Sequence, residues 1–273
     1  MNIHAISRHP SLRVRHETRT RLLEVARAEI LTPHMRRIVL TGEALDGFTS
    51  LAADDHIKLF LPAAGQDRPI LPTLGSNGPV FPEGALRPIA RDYTPRRFDA
   101  AARELTIDFV LHGEGPAASW AARAKPGQIV GIGGPRGSFL APDDFGCYLL
   151  AGDETALPAI ARRLEELPTG SRAIVLVEIA SLEEQIYLPS AASLSVTWLP
   201  RNSRTGRTGL LLQALQGLSW PSDEIFAWLA GELSVIRELR AHLLTVRGLD
   251  SSRIRASGYW RHGAASSHEQ IED

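Results

Sequence analysis

The stretch "APDDFGCYLLAGDETALPAIARRLEEL", residues 141–167, divides the chain into two kinds of sequence. It opens on a Pro/Asp turn, runs as unbroken apolar residues over 147–152, and then takes on a helical pattern over 154–167. A strand with one wet face alternates apolar and polar residues, whereas a strand buried on both faces reads as continuous apolar sequence. The run therefore predicts the first strand of a parallel sheet, followed by its crossover helix. Downstream the alternation repeats. "RAIVLVEIA" (172–180) and "SLSVTWLP" (193–200) read as strands, "GLLLQALQGL" (209–218) as a helix, and "EIFAWLAG" (224–231) as a strand. "ELSVIRELRAHLLTV" (232–246) is a helix and "RIRASGYW" (253–260) a closing strand. This is the pattern of a doubly wound α/β domain.

Upstream of 141 the character differs. "RLLEVARAEIL" (21–31), "RRIVLTG" (36–42), "HIKLFLP" (56–62), "RDYTPRRF" (91–98), "ELTIDFVL" (104–111) and "QIVGIGG" (128–134) are short β-type runs set between Pro/Gly turns. "LPTLGSNGPVFPEGALRPIA" (71–90) reads as a surface loop among them. Several strands with few helices predict an antiparallel Greek-key β-barrel or a sandwich. The expected layout is an N-terminal extension (1–18), a β-barrel domain (19–143), an α/β domain (146–263) and a polar, fraying tail (264–273).

The 273 residues are 44% hydrophobic with a net charge of −1, so no global field draws the chain to nucleic acid or a membrane. The first forty residues are locally basic, which reads as a solvated extension. One cysteine, Cys147, lies in an apolar run; it excludes an intrachain disulfide and reads as a buried thiol. With no apolar segment of spanning length and no signal-type N-terminus, the expectation is a cytoplasmic protein that binds neither nucleic acid nor membrane. The histidines show no metal spacing.

Two stretches carry the chemistry. "RDYTPRR" (91–97) places Arg91, Tyr93 and Thr94 together on a predicted strand. "HGEGPAASWAARA" (112–124) leads through Gly113, Gly115 and Pro116 into a helix, whose start should offer the N–H groups of Ala117, Ala118 and Ser119 to an anion. A guanidinium pairs bidentately with a diphosphate, and a tyrosine ring lies against a flat heterocycle. Diphosphate plus flat ring describes FAD; an ordinary Gly-Pro turn is the rival reading of 112–124 taken alone.

Further along, "GIGGPRGSF" (131–139) is glycine-rich but reads as a tight turn, because no helix follows it. Thr155 is a candidate cap for the first helix of the α/β domain, with Asp153 and Glu154 beside it, and a purely structural cap is the rival. Arg201, Arg204 and Arg207 follow a strand end, where a 2′-phosphate would want them or where they form a solvated loop. Tyr259 and Trp260 should point to opposite faces of the last strand.

In order, "DDHIKLFLP", "RDYTPRRFD", "IDFVLHGEGPAASWA", "GGPRGSF", "AGDETALPAI", "WLPR", "LAGE" and "GYWRHG" resemble the landmarks of the siderophore-interacting proteins, or ferric-siderophore reductases, a branch of the ferredoxin-reductase-type flavoproteins. The resemblance implies a barrel that binds FAD and an α/β domain that takes NADPH or NADH as electron donor. It implies that Arg91, Tyr93, Thr94, Asp108, Val110, His112, Gly113, Gly115, Pro116, Ala117, Ser119 and Trp120 form the flavin side. It implies that Thr155, Arg201, Glu232 and Trp260 lie along the nicotinamide nucleotide path, and that Lys58 and Arg261 form a basic patch for an anionic ferric chelate. The implied activity is transfer of electrons through FAD to siderophore-bound Fe(III) by a monomer. Two alternatives share the same residues: a flavin-bearing siderophore-binding module without reductase activity, and a general NAD(P)H:flavin or ferredoxin-linked reductase. The loop 71–90 is the departure from the family pattern.

Overall fold

The computed structural model describes residues 11–75, 78–113, 115–202, 208–221, 224–263 and 269–271. The first half holds strands β1 (Leu12–Arg15), β2 (Thr20–Thr32), β3 (Met35–Thr41), β4 (Ile57–Leu61), β5 (Thr73–Gly75), β6 (Gly78–Val80), β7 (Ile89–Tyr93), β8 (Arg97–Asp99) and β9 (Glu104–Val110). Helix α1 (Pro116–Arg123) and strands β10 (Ile129–Gly133) and β11 (Gly137–Leu140) follow.

Seven of these strands form one antiparallel sheet in the order β7-β4-β10-β2-β3-β9-β8. Its two edge strands, β7 and β8, are consecutive in the chain, joined by Thr94, Pro95 and Arg96. From Tyr93 to Arg97 the chain reaches at most about 14 Å. The edges of a flat seven-stranded sheet would stand roughly 29 Å apart. The sheet must therefore curl until its edges meet, which is the predicted barrel. Leu23, Val25, Ile38, Leu40, Ile57, Leu59, Leu105 and Ile107 fill its interior.

Three expectations for this half, and one for the C-terminal tail, need revision. The run 91–98 is two strands rather than one, because Pro95 cannot donate to a ladder. The loop 71–90 contains the β5–β6 hairpin and ends in the first residues of β7. The extension 1–18 contributes β1, which pairs with β11 outside the barrel sheet. The tail is not wholly frayed, since Glu269–Gln270 forms a strand against Ser257 and Gly258.

The second half holds β12 (Cys147–Asp153), α2 (Leu157–Glu166), β13 (Arg172–Ile179), β14 (Ser193–Pro200), α3 (Leu210–Gly217), β15 (Ile225–Glu232), α4 (Leu233–Thr245), β16 (Ile254–Trp260) and β17 (Glu269–Gln270). The sheet order is β14-β13-β12-β15-β16-β17, parallel except for β17. Every residue of β12 is buried. Tyr148 and Leu150 pack on the α2 side, while Cys147, Leu149 and Ala151 pack on the α3–α4 side. This two-sided burial is why the strand carries no polar alternation.

The two halves share a core and a polar seam. Met35 of the barrel is buried within the α2-side cluster, with Leu31, Val110 and Phe139 packed against it. Asp54 receives the Trp228 indole N–H at 3.2 Å and pairs with Arg255 at 2.6 Å. Arg162 of α2 donates to the carbonyl of Pro95 at 2.8 Å and to that of Ser50 at 3.0 Å. Arg96 pairs with Glu165 of α2.

Candidate functional site

Between the halves lies a cavity of about 640 Å³. That is within the size range of small-molecule and cofactor sites. Its barrel wall is built by β7 with the segment after it, by the end of β9, and by the start of α1. Its opposite wall comes from the β12–α2 connection and the end of β16. The second wall stands where ligands bind in a doubly wound sheet: at the carboxyl ends of the strands, beside the reversal between β12 and β15.

The barrel wall has the properties of an anion site. Arg91 faces the cavity, and among the described residues its guanidinium bonds only the Ala90 carbonyl, at 2.8 Å. It has no carboxylate partner there. Gly113, with a positive φ of 56°, turns the chain toward α1. Gly115 caps that helix without a side-chain bond, and Pro116 has no N–H. Ser119 donates its N–H to the Gly115 carbonyl at 2.8 Å. Within the helix the N–H groups left without a helical acceptor are therefore those of Ala117 and Ala118, and the cap residue Gly115 adds its own; all three residues line the cavity. The expected contribution of Ser119 is corrected accordingly.

Tyr93 packs on Phe109 with ring centroids 4.3 Å apart, and Phe109 in turn meets Trp120 at 5.6 Å. Burial pushes the Tyr93 phenol well above its ordinary value, with Arg91 opposing the shift, so the group stays a neutral donor at neutral pH. Asp108 lies at the cavity floor, held by Arg37 at 2.7 Å.

The α/β wall is organised by Asp153, buried at the end of β12. Its carboxylate accepts from the Thr155 N–H at 2.9 Å, the Glu232 N–H at 3.0 Å and the Trp260 indole at 2.8 Å, and it also accepts the Thr155 hydroxyl. Glycine is needed nearby for close approach. A Cβ on Gly231 would stand 2.6 Å from an Asp153 oxygen, and one on Gly152 2.2 Å from the Ala230 carbonyl. Thr155 is thus held by Asp153 and does not cap α2, whose N-cap is Ala156. Tyr259 and Trp260 both reach the cavity. Tyr259 packs edge-on to Trp228 at 6.3 Å and bonds the Thr94 hydroxyl across the domain boundary, while Trp260 stays 38% exposed.

Of the expected residues, Lys58, Arg91, Tyr93, Thr94, Asp108, Val110, His112, Gly115, Pro116, Ala117, Thr155, Trp260 and Arg261 line this one cavity. Ser119 and Trp120 line a separate groove on the far side of α1. Glu232 caps α4, accepting from the N–H groups of Ser234 and Val235 at 2.8 and 3.0 Å. Arg201 stands away from the cavity in a bidentate pair with Glu154. Arg204 and Arg207 lie outside the described residues. Lys58 is not a lone cation, since Asp92 holds its ammonium at 2.7 Å. Ala118 and Tyr259, both named from the sequence, also line it, and His56, Asp92 and Pro158, which were not singled out, complete the lining. For Asp92 the signal was its place directly opposite Lys58 in the β4–β7 register.

A guanidinium without a carboxylate partner and helix-start N–H groups without a helical acceptor among the described residues, with an aromatic wall in the same cavity, fit a diphosphate attached to a flat ring. Known proteins point the same way. Residues 24–139 match the siderophore-interacting FAD-binding domain, and residues 145–263 match the siderophore-interacting protein family. The NADPH-dependent ferric-chelate reductase of Escherichia coli (strain K12) is 38% identical over 251 residues, 91% of this chain and 95% of that protein. The ferric vibriobactin reductase of Vibrio cholerae is 32% identical over 248 residues, 89% of this chain and 90% of that protein. The crystal structure of a siderophore utilization protein from T. fusca has a TM-score of 0.88 at 40% identity, covering 94% of this chain and 98% of that one. With both of its halves matched in order and relatives of this identity along nearly its full length, the chain belongs to the siderophore-interacting protein family.

Proposed function

We propose that the chain is a flavin-dependent ferric-siderophore reductase. It takes a hydride from NADPH or NADH and delivers the two electrons to two chelated Fe(III) ions, releasing Fe(II) and a proton. FAD, when bound, supplies the chemistry of accepting a hydride and returning its electrons singly. The chain's own residues bind and orient. Arg91 and the N–H groups of Ala117 and Ala118 would hold the FAD diphosphate. Tyr93 and Thr94 bound the ring on the barrel side, and Thr155 and Trp260 bound the nicotinamide side. Lys58 and Arg261 face the anionic ferric chelate at the rim, and Asp92 moderates the charge of Lys58.

One observation carries this reading: a single cavity has an anion-binding wall from the barrel and the switch-point edge of the α/β sheet opposite it. The name of the Escherichia coli relative supports NADPH as donor. Both walls come from one chain, which supports a monomer, and a single buried cysteine suits the cytoplasm. No helix of the described residues is long and apolar enough to cross a membrane.

The test is an absorption spectrum. The purified protein should carry or take up FAD, bleach anaerobically with NADPH, and regain its colour on a ferric siderophore while Fe(II) appears. Failure to take up FAD overturns the proposal. Bleaching without ferric turnover leaves a general NAD(P)H:flavin reductase in its place. A yellow protein that neither NADPH nor NADH can bleach is a binding module.

A further inference from the structure

The carboxyl edges of three neighbouring strands bring an arginine and two glutamates side by side. Asp153 of β12 is level with Glu178 of β13, and Ile179 is level with Pro200 of β14. Glu154 therefore follows the first strand, Glu178 is the penultimate residue of the second, and Arg201 follows the third. Both nitrogens of the Arg201 fork are taken by the Glu154 carboxylate, one at 2.9 Å, and Glu178 approaches the same guanidinium at 3.7 Å. The backbone fixes the arginine too, since the Arg201 N–H donates to the Ile179 carbonyl at 2.8 Å. Burial works against the charge of Arg201, and the hydrogen bond to Glu154 together with the negative charges of Glu154, Glu178 and Asp153 outweighs it. Burial raises the Glu178 carboxyl, which accepts the Thr208 hydroxyl at 2.9 Å.

In a doubly wound sheet the end of the second strand faces the adenosine ribose. A carboxylate there reads a 2′-hydroxyl and an arginine nearby accommodates a 2′-phosphate. Thr155, next to Glu154, lines the central cavity, so the pair lies one residue from the nucleotide path. Of the two carboxylates, Glu154 holds Arg201 bidentately, and bidentate pairs are the strong ones. A 2′-phosphate must displace Glu154 to reach this guanidinium, whereas a 2′-hydroxyl need not.

We infer that Glu154 is a specificity-determining residue, a carboxylate that occupies the fork of Arg201 and so lowers the preference for a 2′-phosphorylated nucleotide over its unphosphorylated counterpart. This rests on the reading of the α/β domain as the nicotinamide nucleotide site. It assigns Glu154 a selecting role, exerted through Arg201, in place of a purely structural one.

The experiment compares the full-length protein with its Glu154→Gln, Arg201→Gln and double variants. Binding of 2′,5′-ADP and of 5′-AMP is measured by calorimetry, and kcat/KM is measured for NADPH and NADH. Glu154→Gln should raise the ratio of 2′,5′-ADP to 5′-AMP affinity about tenfold, as expected for releasing one charge-assisted pair to a phosphate. The NADPH/NADH ratio of kcat/KM should rise with it, through KM rather than kcat. The gain should vanish in the double variant. A defect of folding would weaken both nucleotides alike and leave the ratios unmoved. Unchanged ratios with both nucleotides still binding overturn the role of Glu154 and spare the nucleotide site. If neither nucleotide binds the unaltered protein, the nucleotide-site reading falls, and the selecting role with it.

Discussion

Arg91 and Arg201 sit in different settings, one midway along β7 in the barrel wall and the other just past β14 at the edge of the α/β sheet. Both are arginines that a sequence reader would assign to a phosphate. The fold treats them differently. Arg91 meets a carbonyl and no carboxylate among the described residues, whereas Arg201 meets Glu154 and Glu178. A cation held by carboxylates has spent much of its attraction within the protein, and an incoming anion must compete for it. The lesson is that arginine content does not locate an anion site; the local balance of charge partners does.

The contrast can be broken most directly at Arg91. Arg91→Ala should weaken FAD binding by roughly tenfold to a hundredfold, equivalent to about 1.5–3 kcal/mol for a charge-assisted pair. Arg201→Ala should leave FAD affinity within about twofold, since Arg201 does not line the cavity. Flavin fluorescence titration of the two variants measures the difference, and equal losses would abolish the distinction.

Gly152→Ala tests whether the α/β edge depends on close strand contact. The new methyl would fall 2.2 Å from the Ala230 carbonyl and 2.6 Å from the Ala156 Cβ. Overpacking of this kind costs about 1–3 kcal/mol, read as a lower denaturant midpoint. An unchanged midpoint would mean that the edge adjusts freely.

Glu232 gives a pH-dependent check on the same edge. Burial acts to raise its carboxyl, but bonds from Ser234, Val235 and His262 outweigh it, and the folded value is lowered. A lowered carboxyl contributes stability above its unfolded value and loses it as pH falls through the folded one. Glu232→Ala should therefore cost about 1 kcal/mol at pH 7, as caps do, and less near pH 4. A cost independent of pH would remove the charged cap.

The smallest effect is expected at the rim, where Lys58 stands between the two cases. It is paired with Asp92 yet its side chain is 43% exposed. Asp92→Asn should raise turnover of an anionic ferric chelate about twofold at low salt, and Lys58→Gln should lower it similarly, with both changes fading at high salt. Rates indifferent to both variants and to salt would remove the steering role of this corner.

The α/β half was readable because its signal is local. Each buried strand announces itself as an apolar run, and Cys147–Asp153 needs no partner to be recognised. The barrel was readable in its strands and less so in its joints. Pro95 divides β7 from β8, and its ring was a signal within the run 91–98 that the alternation of bulky residues masked. Strand β17 comes from Glu269–Gln270, two polar residues with no strand signature, placed by backbone pairing to Ser257 and Gly258. The site divides along the same line. Arg91, Tyr93 and the start of α1 lie in short stretches whose residue types state their chemistry. The pairing of Arg201 with a residue 47 positions earlier, and the gathering of Thr155, Glu232 and Trp260 around Asp153, arise only from strand order. They could not be read from spacing.

The tripeptide Thr94–Pro95–Arg96 has a consequence beyond curling the sheet. Thr94 meets Tyr259, the Pro95 carbonyl takes Arg162, and Arg96 takes Glu165, so the three residues that close the barrel also fasten it to the α/β domain. Barrel integrity and domain docking are thereby mechanically linked: a lesion that loosens the seam also slackens the cavity wall. Bound-flavin emission would then serve as a strain gauge for the domain interface, reporting damage at α2 well away from any ring.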